Sequence, residues 1–348
     1  SPSAMRPSPE SALSSSLMYD GFDRCCKSVT ALGVKRRYAF AVTHPPASMH
    51  NDGARGVLMG LACGDALGRP VEFRSTSAIE SEHGTLTEMV GHGTWGQPAG
   101  TLTDDTAQAL CIARSVAERG TFDPADIADR FVDWYESDPF DIGNMTARSL
   151  GKLRRGAAWD EAGQAVWEDS PEGSNAGNGS VMRCPPLAVA YADSPRLDEV
   201  SRQSSLITHA DPRCTAGCAV LNRTIAGLLR GAESPLSDAL ATTEVPDELE
   251  DALAPVAAGE TPSTLSSSGY VVHTLQTALH DGLRAESAEE AIVSAVNRGG
   301  DADTVGAVAG AVAGARFGAA DLPERWLSAI DERDELERLA DDLAAVEG

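Results

Sequence analysis

Lysine is almost missing from this chain. Lys27, Lys35 and Lys152 are the only three in 348 residues, so arginine supplies nearly all the positive charge. Acidic residues outnumber basic ones 52 to 28, for a formal net charge of −24. A surface of that sign repels phosphate backbones, which excludes nucleic-acid binding by phosphate neutralisation. Aromatic residues are also scarce, at 5%. With alanine and glycine abundant, close-packed helices fit this composition better than a β-sandwich. No apolar run approaches the roughly 18 residues of a membrane span. The longest, Thr304 to Ala315, is too short and too rich in glycine.

Cysteine is sparse and scattered: seven residues, an odd number. Cys214 and Cys218 sit one helical turn apart, without the two further ligands zinc would need. Reduced, buried thiols are expected, and with them a cytoplasmic location. The familiar nucleotide and nucleophile signatures are missing too. There is no G-x-x-x-x-G-K-S/T loop, no G-x-G-x-x-G after a strand, no H-E-x-x-H and no G-x-S-x-G elbow.

What is present divides into two unequal parts. Residues 1–48 are rich in Ser and Pro and hold six basic residues against three acidic ones. They lack the apolar centre and small-residue cleavage site of a signal peptide. A disordered tail over residues 1–50 is expected, or an over-long gene start with Met49 as initiator. Alternating strands are missing from the rest, whereas helical spacing recurs. It predicts helices over 53–66, 101–118, 124–135, 145–153, 197–208 and 212–230. Further helices are predicted over 269–280, 288–296, 301–317 and 323–346, with a short helix or two inside 231–266. Residues 75–99 and 169–180 read as loops. The expectation is one all-α, compact multi-helix domain over 51–348.

The stretch Asn297 to Ala315 reads NRGGDADTVGAVAGAVAGA. Asp301 and Asp303 would project about 200° apart within a helix, so they converge only at a loop-to-helix corner. The Gly299-Gly300 pair allows such a turn. Behind it, Gly306, Gly310, Gly314 and Gly318 recur every fourth residue, a smooth face that another backbone could approach. A similar cluster, Thr103-Asp104-Asp105, opens a second predicted helix almost 200 residues earlier. As independent helix caps the two clusters would be unremarkable in their chemistry. Brought together, four carboxylates are costly unless cations neutralise them, and two divalent ions would do so. Thr103 and Thr304 add neutral oxygens. An all-oxygen set suits Mg²⁺ or Mn²⁺ and disfavours zinc. A calcium EF-hand is excluded, because Val305 and Val312 stand where ligands are required. The loop Gly177-Asn178-Gly179-Ser180, leading into a helix, could present backbone N–H groups to a phosphate.

Taken together, GVLMGLACGDALGRPVEF, TLTDDTAQAL, DIGNMT, GNGSVMRCPPLA, THADPR, GYVVHTLQTAL and NRGGDADTVGAVAGAVAGA resemble the ADP-ribosylglycohydrolase family. The likeness spans about residues 52–330. Within the family it is greatest to the bacterial dinitrogenase reductase-activating and ADP-ribosyl-arginine hydrolase type. The resemblance implies an all-α domain with a two-metal cleft that cleaves the N- or O-glycosidic bond joining ADP-ribose to a side chain. Thr103, Asp104, Asp105, Asp301, Asp303 and Thr304 match its metal ligands. Glu72 matches a glutamate over the metals, and Asp303, Asp105 or Glu72 would act as acid or base.

Asn178, Gly179 and Ser180 match a loop on the diphosphate and ribose, His209 a histidine of that pocket, and Tyr270 an aromatic on adenine. Asp141 and Asn144 match a stretch beside the departing guanidinium, a planar cation that a carboxylate holds well. Each has a plainer reading: Glu72 as a surface carboxylate, His209 and Tyr270 as core residues, Asp141 as a helix cap. The expected partner is an ADP-ribosylated protein, arginine-linked above all, or a small ADP-ribosyl conjugate, and the enzyme is expected to be a monomer. Serine-linked ADP-ribose, O-acetyl-ADP-ribose or another small conjugate is the alternative substrate. A non-catalytic, crystallin-like member of the fold is disfavoured because every metal position is filled.

Overall fold

The computed structural model describes residues 47–347, Glu172 excepted. The tail expected over residues 1–50 therefore lies, up to residue 46, outside the described residues. The chain runs through α1 (Ala47–Gly68), α2 (Thr76–His83), α3 (Asp104–Arg119), α4 (Pro124–Glu136), α5 (Asn144–Leu153) and α6 (Trp159–Glu168). It continues through α7 (Pro185–Ala190), α8 (Leu197–Leu206), α9 (Pro212–Leu229), α10 (Pro235–Thr242) and α11 (Asp247–Ala257). Last come α12 (Val271–Arg284), α13 (Ala288–Val296), α14 (Ala302–Phe317), α15 (Glu324–Leu327) and α16 (Arg333–Ala344). The fold is all-α. Among the described residues, strand pairing is limited to isolated bridges, and no helix is long and apolar enough to cross a membrane.

Helix starts follow local chemistry. Asp123 and Asp211 accept from backbone amides of the first turn, with Pro124 and Pro212 at the first helical position. Three stretches depart from the expectation. α2 begins inside the predicted 75–99 loop, where Ser75 accepts from the Ala78 amide. α6 and α7 are short helices that the spacing did not reveal. The single helix predicted over 323–346 is two, because the chain turns between α15 and α16.

At the centre, α1 and α14 run antiparallel in backbone contact. A β-carbon on Gly56, Gly60 or Gly64 would lie 2.1, 2.1 and 2.0 Å from the carbonyl oxygens of Gly314, Gly310 and Gly306. At Gly68 it would lie 2.4 Å from the Asp303 Cα. The four-residue glycine repeats of the two helices thus mesh like a zip, and α14 is buried from Ala302 to Ala315. Gly318 closes that face, its carbonyl carbon 2.9 Å from the same β-carbon position on Gly56. It terminates α14 with a φ of 82°. α9, α12 and α13 also pack against α14. This burial fixes where the α14 N-terminus sits, and therefore where Asp301 to Thr304 point.

Candidate active site

Gly299 and Gly300 take φ values of 71° and 66°, two left-handed residues in succession. Hydrogen bonds from Gly300 N to Arg74 O (2.8 Å), Phe73 N to Gly300 O (2.6 Å) and Asp301 N to Ser267 O (2.7 Å) pin the turn. Asp301 occupies the N-cap position of α14, yet its side chain caps nothing. Its Oδ2 accepts instead from Asn178 Nδ2 at 2.8 Å. Asp303 and Thr304 are buried in the first turn. The corner does make the two aspartates converge: carboxylate oxygens of Asp301, Asp303 and Glu72 lie within 4.8 Å of one another. Glu72 is itself buried, and its Oε2 accepts from the Trp95 indole at 2.5 Å.

The second cluster arrives at the same place. Thr103 is the N-cap of α3. Behind it stands Asp65, on α1, whose carboxylate accepts from the backbone amides of Thr103 and Thr106 at 3.1 Å and from their hydroxyls at 2.9 and 2.5 Å. So many donors leave Asp65 fully engaged, as the post that holds the α3 N-terminus. Asp105 Oδ2 then accepts from the Thr304 hydroxyl at 3.3 Å, across 199 residues of sequence. Asp104 Oδ2 accepts from Gln108 at 3.4 Å, and Gln108 in turn accepts from the buried Arg183.

These carboxylates resist ionisation. Burial first, and then the neighbouring acids, push Asp104, Asp105 and Asp303 well above the usual carboxylate range. Burial and then Asp141 raise Glu72 to about 8; burial and then Asp65 raise Asp141 to about 7. Asp105 Oδ1 is buried with no hydrogen-bond partner. A buried oxygen without a donor, inside an all-oxygen carboxylate cluster, is what a hard divalent cation would satisfy. The residues present fit such ions.

A cleft of about 430 Å³ opens over the cluster. Glu72, Asp104, Asp105, Asp301, Asp303 and Thr304 line it, together with Asp141, Asn144, Asn178, Gly179 and His209. Thr103 lies just behind the wall. Gly143, not Asp141, takes the N-cap position of α5, so the cap reading of Asp141 does not hold. The His209 ring packs on the glycine loop, where a β-carbon on Gly179 would lie 2.9 Å from Cε1. Burial, then Arg183, lowers the His209 pKa to about 3, so the imidazole is neutral. Thr208 Oγ1 accepts from Arg183 at 2.6 Å and lies 2.7 Å from His209 Nδ1. The Nε2 edge of the ring faces the glycine loop, 3.1 Å from a β-carbon placed on Gly179.

Two expected substrate contacts are outside the lining. The buried Ser180 hydroxyl accepts from Ser205 at 2.9 Å. Tyr270 follows the lining residue Gly269, and its hydroxyl joins Arg213 (2.9 Å) and Glu248 (2.7 Å). Sequence reasoning missed Asp65, Trp95, Gln108 and Arg183. Only Asp65 had a signal: a lone charge within the small, apolar GLACGDALG.

The family model for ADP-ribosylglycohydrolases matches residues 46–348. An ADP-ribosyl-dinitrogen-reductase glycohydrolase from Rhodospirillum rubrum is 36% identical over 304 residues, 86% of this chain and 98% of the relative. The ADP-ribosylarginine hydrolase Tri1 of Pseudomonas putida is 34% identical, over 84% of this chain and 78% of its own. A solved structure titled ADP-ribosylglycohydrolase-related protein complex superposes with a TM-score of 0.72 at 36% identity, covering 86% of this chain and all of that one.

Proposed function

Since the chain belongs to the ADP-ribosylglycohydrolase family and is a hydrolase of that class, we propose that it removes ADP-ribose from arginine side chains of modified proteins, using two divalent cations, Mg²⁺ or Mn²⁺. The observation that carries this reading is the convergence of Glu72, Asp301 and Asp303, with Asp105 joined through Thr304. Thr103, Asp104, Asp105, Asp301, Asp303 and Thr304 would hold the cations. When bound, these supply Lewis acidity toward the ribose and lower the pKa of a water.

The protein's own groups account for the remaining work. Asn178 orients Asp301, while the glycine loop and the neutral His209 ring face an anionic ligand without contributing negative charge. Glu72 is fixed by Trp95 at one oxygen, which leaves the other to exchange a proton with the departing atom or the attacking water. Asp141, beside it in the cleft wall, offers a carboxylate to the cationic leaving group. The named activity of the Tri1 relative supports the arginine linkage.

The deciding experiment measures ADP-ribose release from arginine-modified and serine-modified peptides, with and without divalent metal. Metal-dependent release favouring arginine is expected. Full release by a metal-stripped sample would overturn the dimetal reading. Preference for serine would overturn the linkage.

A further inference from the structure

Two large apolar side chains stand out as exposed among the described residues: Phe73 at 69% and Phe140 at 38%. Phe73 lines the carboxylate cleft together with Trp95, and Phe140, the neighbour of the lining residue Asp141, packs against Trp95 in turn. The Phe73 and Trp95 rings lie 6.4 Å apart at 68°, and Trp95 and Phe140 5.9 Å apart at 56°. Each exposed phenyl is also the chain neighbour of a cleft carboxylate, Phe73 following Glu72 and Phe140 preceding Asp141.

The backbone beneath this rim is strained. The described non-glycine residues with positive φ are Phe73 (62°), His92 (68°) and Asp138 (58°), one in each of the three loops that carry the aromatics. Such conformations cost on the order of 1–3 kcal/mol each and persist only where surrounding contacts impose them. Here the contacts are visible. Phe73 N donates to Gly300 O at 2.6 Å, the Thr94 hydroxyl to Glu72 O at 2.7 Å, and His92 N to Gln97 O at 2.6 Å. The fold thus holds a phenyl in solvent, in an unfavourable conformation, against the catalytic cluster.

Aromatic faces flanked by carboxylates form a receptor for a cation. A guanidinium suits it better than an ammonium, because it is planar, weakly hydrated and can engage a ring and a carboxylate at once. We propose that Phe73, Trp95 and Phe140 form an aromatic clamp for the guanidinium of the leaving arginine and set the enzyme's preference for that linkage. The proposal rests on the hydrolase reading above and deepens it. A serine leaving group, uncharged and without a plane to stack, gains nothing from the clamp.

The test uses Phe73→Ala and Phe140→Ala, with Phe73→Tyr as the conservative variant; Trp95 is spared because it bonds Glu72. For ADP-ribosyl-arginine peptides the alanine variants should raise KM about tenfold with kcat within about twofold, as cation–π energies allow. The rise on serine-linked peptides should be at least about fivefold smaller, and Phe73→Tyr should restore the arginine KM. Equal rises on both linkages, or losses confined to kcat, would overturn the clamp.

A second reading needs no turnover: calorimetric titration of the metal-loaded protein, saturated with free ADP-ribose, with agmatine against butylamine. Tighter binding of agmatine that disappears in Phe73→Ala supports the clamp, and no preference in the wild type overturns it. A wild type that prefers agmatine yet releases no ADP-ribose would instead sink the hydrolase reading and leave the clamp standing.

Discussion

The Asn178 side-chain amide donates to Asp301 Oδ2 at 2.8 Å, tying the glycine loop to the α14 corner across 123 residues. Its other donor contact, to Thr274 Oγ1 at 3.0 Å, holds the amide in place. With one oxygen engaged this way, Asp301 presents the other to the cluster. Asn178→Ala should therefore weaken divalent-ion affinity by about 10–100-fold, the usual effect of removing a group that orients a metal ligand. Asn178→Asp should be worse, because it replaces a donor with a further negative charge. Calorimetric titration with Mn²⁺ reads both. Unchanged affinity in the alanine variant would mean that Asp301 needs no such orientation.

The carboxylate cluster also makes stability depend on pH, with a sign opposite to that of an ordinary ion-paired carboxylate. The folded pKa values of Glu72 (about 8) and Asp141 (about 7) lie above the ordinary 4.5 and 3.8. The folded state therefore keeps protons that the unfolded chain releases. That contribution is complete below about pH 4 and disappears as pH rises through 7 to 8. Metal-free protein should lose thermal stability between about pH 5 and pH 9. Bound divalent ions need the ionised carboxylates, so the gain in Tm on adding metal should be largest at the alkaline end. Differential scanning calorimetry with and without chelator measures this. A Tm of the chelated protein that climbs over the same range would refute it.

Removing a cluster carboxylate separates catalysis from stability. Asp301→Ala or Asp303→Ala should abolish release of ADP-ribose, because each deletes a proposed ligand. The same change relieves repulsion among buried acids, so the metal-free Asp303→Ala protein should melt no lower than metal-free wild type. If the variant keeps activity, the roles given to the α14 corner are wrong. If it melts well below wild type without metal, Asp303 is a structural residue.

How much of this was legible in the residues depends on what each signal encodes. The glycine pair before Asp301 demanded a left-handed turn, and both glycines adopt one, so the convergence of Asp301 and Asp303 could be anticipated from conformational freedom alone. The smooth face of α14 was equally visible in its four-residue repeat. Its partner was not, although Gly56, Gly60, Gly64 and Gly68 carry the same repeat in α1. Such a pattern states that a backbone approaches without saying which one. Asp65, Gln108 and Arg183 were invisible for a different reason. They act through hydrogen bonds between helices remote in sequence, and no local spacing marks such pairs. Trp95, in a short 3-10 turn, and the two exposed phenylalanines lie between the α-helices, where periodicity carries no information. Ser180 and Tyr270 are chain neighbours of the cleft-lining Gly179 and Gly269, but side-chain direction within a loop is set by neighbours that the motif does not contain.

The α1–α14 zip gives a sharp stability test. A β-carbon on Gly310 would meet the Gly60 carbonyl oxygen at 2.0 Å, a clash with backbone that no rotamer relieves. Gly310→Ala should cost more than about 3 kcal/mol, beyond the usual overpacking range because both helices must part. Gly151, in α5, is the control. A β-carbon there meets only the end of the Arg155 side chain at 3.5 Å, so Gly151→Ala should be neutral or stabilise by up to about 1 kcal/mol. Chemical denaturation of both variants decides the matter. Similar stabilities would mean that α1 and α14 do not depend on backbone contact.

Asp141 is where substrate choice can be tested directly. The α5 cap is taken by Gly143, so no helix loses its start when the carboxylate is removed. What changes is the cleft wall: Asp141→Ala deletes an acceptor for a guanidinium and also lowers the repulsion that raises Glu72. The two effects act on different substrates. Loss of the acceptor affects only a cationic leaving group, whereas a change in Glu72 affects every linkage through the proton it exchanges. Asp141→Ala should therefore lower kcat/KM on arginine-linked peptides by about tenfold to a hundredfold, in line with a lost charge-assisted hydrogen bond. Losses on serine-linked peptides and O-acetyl-ADP-ribose should be far smaller. The alkaline limb of the pH–rate profile should move to lower pH for all three substrates alike. Equal losses on every linkage would remove Asp141 from specificity, and an unmoved pH profile would uncouple it from Glu72.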